Sequence, residues 1–108
     1  ALARALAERG VAVLYPGLES HPNHEVAARQ MNGLFGPVLS FDLGSEAEAS
    51  RFLGACSLVA EATSFGGAHS TAERRARWGT EPVSEGFIRF SCGIEDTGDL
   101  VADVLGAL

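Results

Sequence analysis

The sequence predicts a single small α/β (α+β) domain over residues 1–108, with a mainly antiparallel sheet of about four strands and helices packed on one face. Three observations carry this. Helical and strand-like apolar patterns alternate along the chain, Gly and Pro fall between them, and hydrophobic content is 46% with 20% charged residues. At 108 residues such a chain buries roughly two-thirds of the surface that its unfolded form exposes.

The elements follow in order. Leu2 and Leu6 sit at helical spacing in residues 1–9, and Gly10 suits the position after a helix end. The run Val11-Ala12-Val13-Leu14-Tyr15 reads as a short strand stopped by Pro16-Gly17. Pro22 fits a helix's first turn, and Val26, Ala27 and Met31 continue that helix to Gly33. From Val38 to Leu43, Leu39, Phe41 and Leu43 alternate with Ser40 and Asp42, as a half-buried strand requires. Ser45 with Glu48 reads as a capping box that opens a third helix carrying Ala49, Phe52 and Leu53. Leu58–Ala62 forms a strand, Ser64-Phe65-Gly66-Gly67 a tight loop, and residues 72–78 a short helix ended by Gly79. Phe87–Ser91 is the last strand. Thr97 is the expected N-cap of a closing helix with Leu100, Val101, Val104, Leu105 and Leu108 on one stripe.

Composition excludes several classes of function. The net charge is −6, which opposes nucleic-acid binding, and the Arg74, Arg75, Arg77 cluster reads as a solvated helix face. No apolar run reaches the roughly 18 residues that a membrane span needs. All eight basic residues other than histidine are arginine. Without lysine, the chain has no side chain to form the Schiff base of lysine-dependent covalent catalysis. Cys56 and Cys92 have no CxxC spacing and read as buried free thiols, which points to a cytoplasmic protein. His21, His24 and His69 are assigned no metal, and Glu95, Asp96 and Asp99 are placed at a helix N-terminus, where negative charge is favoured. Tyr15 and Trp78 read as packing residues. The opening ALARALAERG reads as helix, with no initiator methionine or signal peptide, and this is how a domain of a longer protein would begin.

Arg89 is the most telling position. Ile88, Phe90 and Cys92 alternate with Phe87, Arg89 and Ser91, so covering the apolar face sets the guanidinium on the opposite one. No acidic neighbour stands in its own segment. Such a group binds a carboxylate bidentately, and the pattern leaves open whether that carboxylate belongs to the chain or to a ligand. The loop Thr63-Ser64-Phe65-Gly66-Gly67 allows close backbone approach, but it matches neither a Walker loop nor a dinucleotide fingerprint.

The segments VLYPGLESHPNHEVAARQM, VLSFDL, TSFGG and FIRFSCGIEDTGDLVADVLGAL together resemble the Cys/Met-metabolism pyridoxal-phosphate (PLP) enzymes of the cystathionine γ-lyase and γ-synthase group. The resemblance runs from near residue 11 to the end, in the order of that family's C-terminal domain. It implies the small domain of a fold-type I PLP enzyme, a C–S lyase of sulfur amino acids, with cystathionine γ-lyase as the first expectation. γ-Synthase and methionine γ-lyase are the alternatives within the family. A free-standing module that binds amino acids without catalysis is the alternative outside it.

By that resemblance Arg89 grips the substrate α-carboxylate and Ser64 helps to hold it. PLP, its lysine and its phosphate site belong to a larger domain and a neighbouring subunit, and the assembly is a homotetramer. Isolated, the chain is expected to bind no cofactor and to be inactive. Thr63 stands where the family commonly has a glutamate linked to reaction specificity. Ala68-His69-Ser70-Thr71 replaces the usual Glu-Ser-Leu and leads into ERRARWG, closer to a lyase branch than to the synthases.

Overall fold

The computed structural model describes residues 1–108. Four helices, α1 (Leu2–Glu8), α2 (His24–Gln30), α3 (Glu46–Ala55) and α4 (Thr97–Ala107), accompany five strands: β1 (Ala12–Leu14), β2 (Val38–Asp42), β3 (Ala60–Glu61), β4 (Thr71–Arg74) and β5 (Phe87–Ser91). The sheet order is β1-β2-β5-β4-β3, antiparallel except for the parallel β3–β4 pair at one edge.

The sheet has one strand more than expected. Residues 72–78, expected as helix, divide into β4 and a 3-10 turn, Arg75–Trp78, closed by Gly79 in the left-handed conformation. Alanine, glutamate and arginine favour helix locally, but pairing of Thr71–Arg74 with β5 overrides that preference.

The core forms where sheet alternation meets the helical stripes. Leu39 and Phe41 of β2, Ile88 and Phe90 of β5, and Ala72 of β4 are buried on one face, beneath Leu2 and Leu6 of α1, Phe52 of α3, and Leu100 and Val104 of α4. Phe41 meets Phe52 edge-on at 5.4 Å between ring centroids. The opposite face, with Leu14, Ser40, Arg89 and Glu73 across four strands, has no α-helix packed on it, but the 3-10 turn and the loop at Gly66 cover it around Glu73 and Ser91. α2 stands apart from this layer and buries no residue, and Val26 and Met31 of its apolar side stay exposed.

Several local expectations shift. α2 begins at His24, two residues after Pro22, so the proline precedes the helix. Ser45 Oγ caps α3 by accepting from the Glu48 amide, but the Glu48 carboxylate does not return to complete the box. It binds Arg51 at 2.8 Å instead, and Arg51 reaches across to the carbonyls of Ala107 and Leu108 at the end of α4. The N-cap of α4 is Asp96, not Thr97, because the Asp96 carboxylate reaches the amides of Gly98 and Asp99.

Candidate functional site

Arg89 lies in β5, with Ser40 opposite it on β2 and Glu73 opposite it on β4. The neighbouring Ile88 and Phe90 are fully buried under the helices, so the guanidinium rises from the uncovered face, as the alternation requires. Its side chain remains 24% exposed.

Glu73 is the partner that the sequence reading lacked. Its carboxylate is only 1% exposed, and Oε1 lies 2.5 Å from Arg89 Nη2. The same oxygen accepts from Arg75 Nη1 at 2.7 Å, and Oε2 accepts from Trp78 Nε1 at 3.0 Å. Burial by itself would raise the Glu73 pKa. The hydrogen bonds from Trp78 and Arg75 and the charges of Arg89 and Arg75 outweigh it and hold the carboxyl below the usual range. Glu73 is therefore ionised, and a buried charge of this kind is tolerated because two hydrogen-bond donors and the Arg89 cation surround it.

The glycine-rich loop closes over the guanidinium from the other side. The carbonyl of Thr63 accepts from Arg89 Nη2, and the ring of Phe65 lies 5.0 Å from the guanidinium carbon. Nη2 is thus shared between two oxygens of the chain. Nε and Nη1 donate to nothing within it. Ser64 is exposed, and its carbonyl accepts from Thr71 Oγ1 at 2.7 Å. Its hydroxyl has no partner in the chain and is not joined to Arg89. Thr63 contributes its main chain to this contact, so the threonine side chain is not what holds Arg89.

Two anchors fix the loop. The Gly66 amide donates to Ser91 Oγ at 2.8 Å. Farther along, the amide and hydroxyl of buried Ser70 both donate to the Glu95 carboxylate, at 2.7 and 2.8 Å, while Gly93 N–H donates to Ser70 Oγ at 2.9 Å. The bond from the Ser70 amide is the main cause of a lowered Glu95 pKa. Glu95 is thus a loop clasp, where the sequence reading placed it at a helix N-terminus. Trp78, read as a packing residue, is half-exposed and serves through its indole N–H. The arginine cluster is not a free helix face either: Arg74 pairs with Glu46 and Glu85, Arg75 with Glu73 and Glu81, and Arg77 with Glu61.

No cavity in the chain is lined by Thr63, Ser64 or Arg89. The roomiest hollow, about 610 Å³, opens between Glu19 and Val26. Beside it His24 Nδ1–H donates to the Pro16 carbonyl at 2.6 Å and the His24 ring stacks on Phe35, which gives this histidine a structural role.

Fold and site together define a small α/β domain that presents one braced cation on an open sheet face. Residues 2–108 match the family model described as Cys/Met metabolism PLP-dependent enzyme, and the chain belongs to that family. It is 61% identical over 94 residues to a putative cystathionine γ-lyase of Streptomyces coelicolor, an alignment covering 87% of this chain and 24% of that protein. The crystal structure of cystathionine γ-lyase from yeast superposes with a TM-score of 0.88 at 35% identity, over 98% of this chain and 31% of that one. Cystathionine γ-synthase 1 of Nicotiana tabacum is 39% identical over 89% of this chain and 20% of its own length. The chain thus spans a third or less of these relatives.

The chain supplies no lysine with which PLP could form a Schiff base. No helix is long and apolar enough to cross a membrane.

Proposed function

We propose that residues 1–108 are the C-terminal, substrate-carboxylate-binding domain of a PLP-dependent C–S lyase acting on sulfur amino acids. The reaction is that of cystathionine γ-lyase: γ-elimination of cystathionine to cysteine, 2-oxobutyrate and ammonia. The observation that carries this is the state of Arg89, a guanidinium fixed on an open sheet face with Nε and Nη1 uncommitted. A substrate carboxylate supplies acceptors for those donors, and Ser64, whose hydroxyl also lacks a partner, stands in the same loop as Thr63 and Phe65. Holding the carboxylate fixes the orientation of the amino acid at the reacting carbon, which is this domain's share of catalysis.

The cofactor and its lysine belong to a large domain outside this chain, so the isolated chain is inactive. In this reading the open face around Arg89 is completed by that large domain and by a neighbouring subunit of a homotetramer. The unbonded thiols of Cys56 and Cys92 suit a cytoplasmic enzyme.

The test is Arg89→Ala in the whole enzyme. We expect kcat/KM for cystathionine to fall on the order of a hundredfold or more, the effect of losing a charge-assisted contact at the reacting substrate. Unchanged kinetics would overturn the assignment. Thr63, standing where the family commonly has glutamate, leaves open a second reading within the family, γ-synthase or methionine γ-lyase. Relatives named for each activity are 39% and 40% identical to this chain. Product assays separate the three: 2-oxobutyrate with cysteine marks the first, cystathionine from an activated homoserine the second, and methanethiol from methionine the third.

A further inference from the structure

We propose that Glu73 is the positioning residue of this site, the group that aims Arg89. The inference rests on the reading of Arg89 as the carboxylate grip and extends it to a residue that never meets the substrate. A long arginine side chain on an open sheet face loses substantial rotamer entropy when it is held in one place, so it keeps one direction only if the chain constrains it. Glu73 provides that constraint from directly across the β4–β5 register. Its carboxylate is only 1% exposed and is aligned by Trp78 and Arg75, while the far side of Arg75 is held by Glu81.

Both carboxylate oxygens are taken from within the chain, which leaves Glu73 no task toward solvent. Its ion pair with Arg89 is closest at Nη2, and Nε and Nη1 make no hydrogen bond within the chain, so they are left as available donors. The loop adds a second constraint, because the Thr63 carbonyl takes the same Nη2 and Phe65 covers the guanidinium plane. Arg75 shares the Glu73 carboxylate with Arg89 and is itself paired with Glu81, so the anchor of Arg89 is part of a four-residue ion-pair network.

The experiment is a double-mutant cycle in the whole enzyme. Glu73→Gln keeps the size of the side chain and an acceptor for Trp78 but removes the charge that holds Arg89. KM for the amino-acid substrate should rise on the order of tenfold while kcat changes less than about threefold. Glu73→Asp, which retains the charge, should recover part of that loss. With Arg89→Ala already present, Glu73→Gln should alter kcat/KM by less than about twofold, since no guanidinium remains to be aimed.

An unchanged KM in Glu73→Gln overturns the proposal, and so do equal losses in the two backgrounds, the mark of a merely structural role. Should Glu73→Gln fail to fold, Trp78→Phe, which removes one brace, takes its place. A KM raised about two- to threefold then supports the proposal, and an unchanged KM overturns it. A fully active Arg89→Ala enzyme would remove the carboxylate-grip reading itself. A crippled Arg89→Ala enzyme beside an unaffected Glu73→Gln enzyme would remove only the positioning role.

Discussion

The thiol of Cys56 shows how a single residue's surroundings set its chemistry. Burial raises its pKa, the Asp103 carboxylate raises it further, and the thiol is pushed from 9.0 up to about 11. Cys92 is raised in the same way, mainly by burial. The thiolate is the reactive form, so at pH 8 Cys56 should be alkylated by iodoacetamide about a hundredfold more slowly than an exposed cysteine of ordinary pKa. Mass-spectrometric counting of labelled thiols against time measures this, with the guanidinium-unfolded chain as reference. Equal rates in the folded and unfolded chains would place Cys56 in open solvent.

At the scale of elements, the turn after β5 holds the loop beside Arg89. A Cβ on Gly93 would lie 2.3 Å from the Ala68 carbonyl oxygen and 2.6 Å from the Ser70 nitrogen, both of them main-chain atoms that cannot swing aside. Gly93→Ala should therefore destabilise the chain by about 1–3 kcal/mol, the range for overpacking, and should also displace the loop that carries Thr63 and Ser64. Gly54, inside α3, is the contrast: nothing lies within 4 Å of its absent Cβ. There, alanine should stabilise by about 0.5–1 kcal/mol through helix propensity. Urea unfolding of both variants checks the opposite signs, and a Gly93→Ala chain as stable as the parent would show that the loop yields freely.

These elements also show what the sequence could disclose. The alternation in β2 and β5 and the apolar stripes of α3 and α4 repeat at their structural periods, so the core and the open placement of Arg89 were readable in advance. β4 was not, because Ala72, Glu73 and Arg74 are good helix formers and become a strand only through pairing with β5. Glu73 was hidden for the same reason: read on a helix, it has no relation to Arg89. Burial along Thr71–Arg74 does not alternate, because Ala72 is buried by the helices and Glu73 by its ion pairs, so no period-2 pattern marked the strand. Phe65 and Trp78 act through partners distant in sequence, which no local pattern records.

For the whole molecule, acid is the condition that the charge network resists least. Glu73, Glu81 and Glu95 all have pKa values below their ordinary 4.5. The causes differ: burial of Glu73 is outweighed by its hydrogen bonds and cationic neighbours, Glu81 is held down first by its bond from Arg75, and Glu95 by the Ser70 amide. Each binds its proton more weakly in the folded chain than in the unfolded one. Their contribution to stability is complete above the ordinary carboxylate range and is lost as pH falls through the folded-state values. Below that range the eight arginines also face one another with few negative partners, which adds self-repulsion. On the alkaline side the sign reverses: Cys56 contributes fully below 9.0, and that contribution is lost as pH rises toward about 11. Urea midpoints should thus be level near neutrality and decline as pH drops below about 4.5. Glu95→Gln should start from a lower midpoint and decline less steeply, since a group whose protonation drives the loss is gone. An acid limb of the same slope in Glu95→Gln and parent would mean that the clasp between Glu95 and Ser70 does not contribute to the acid sensitivity.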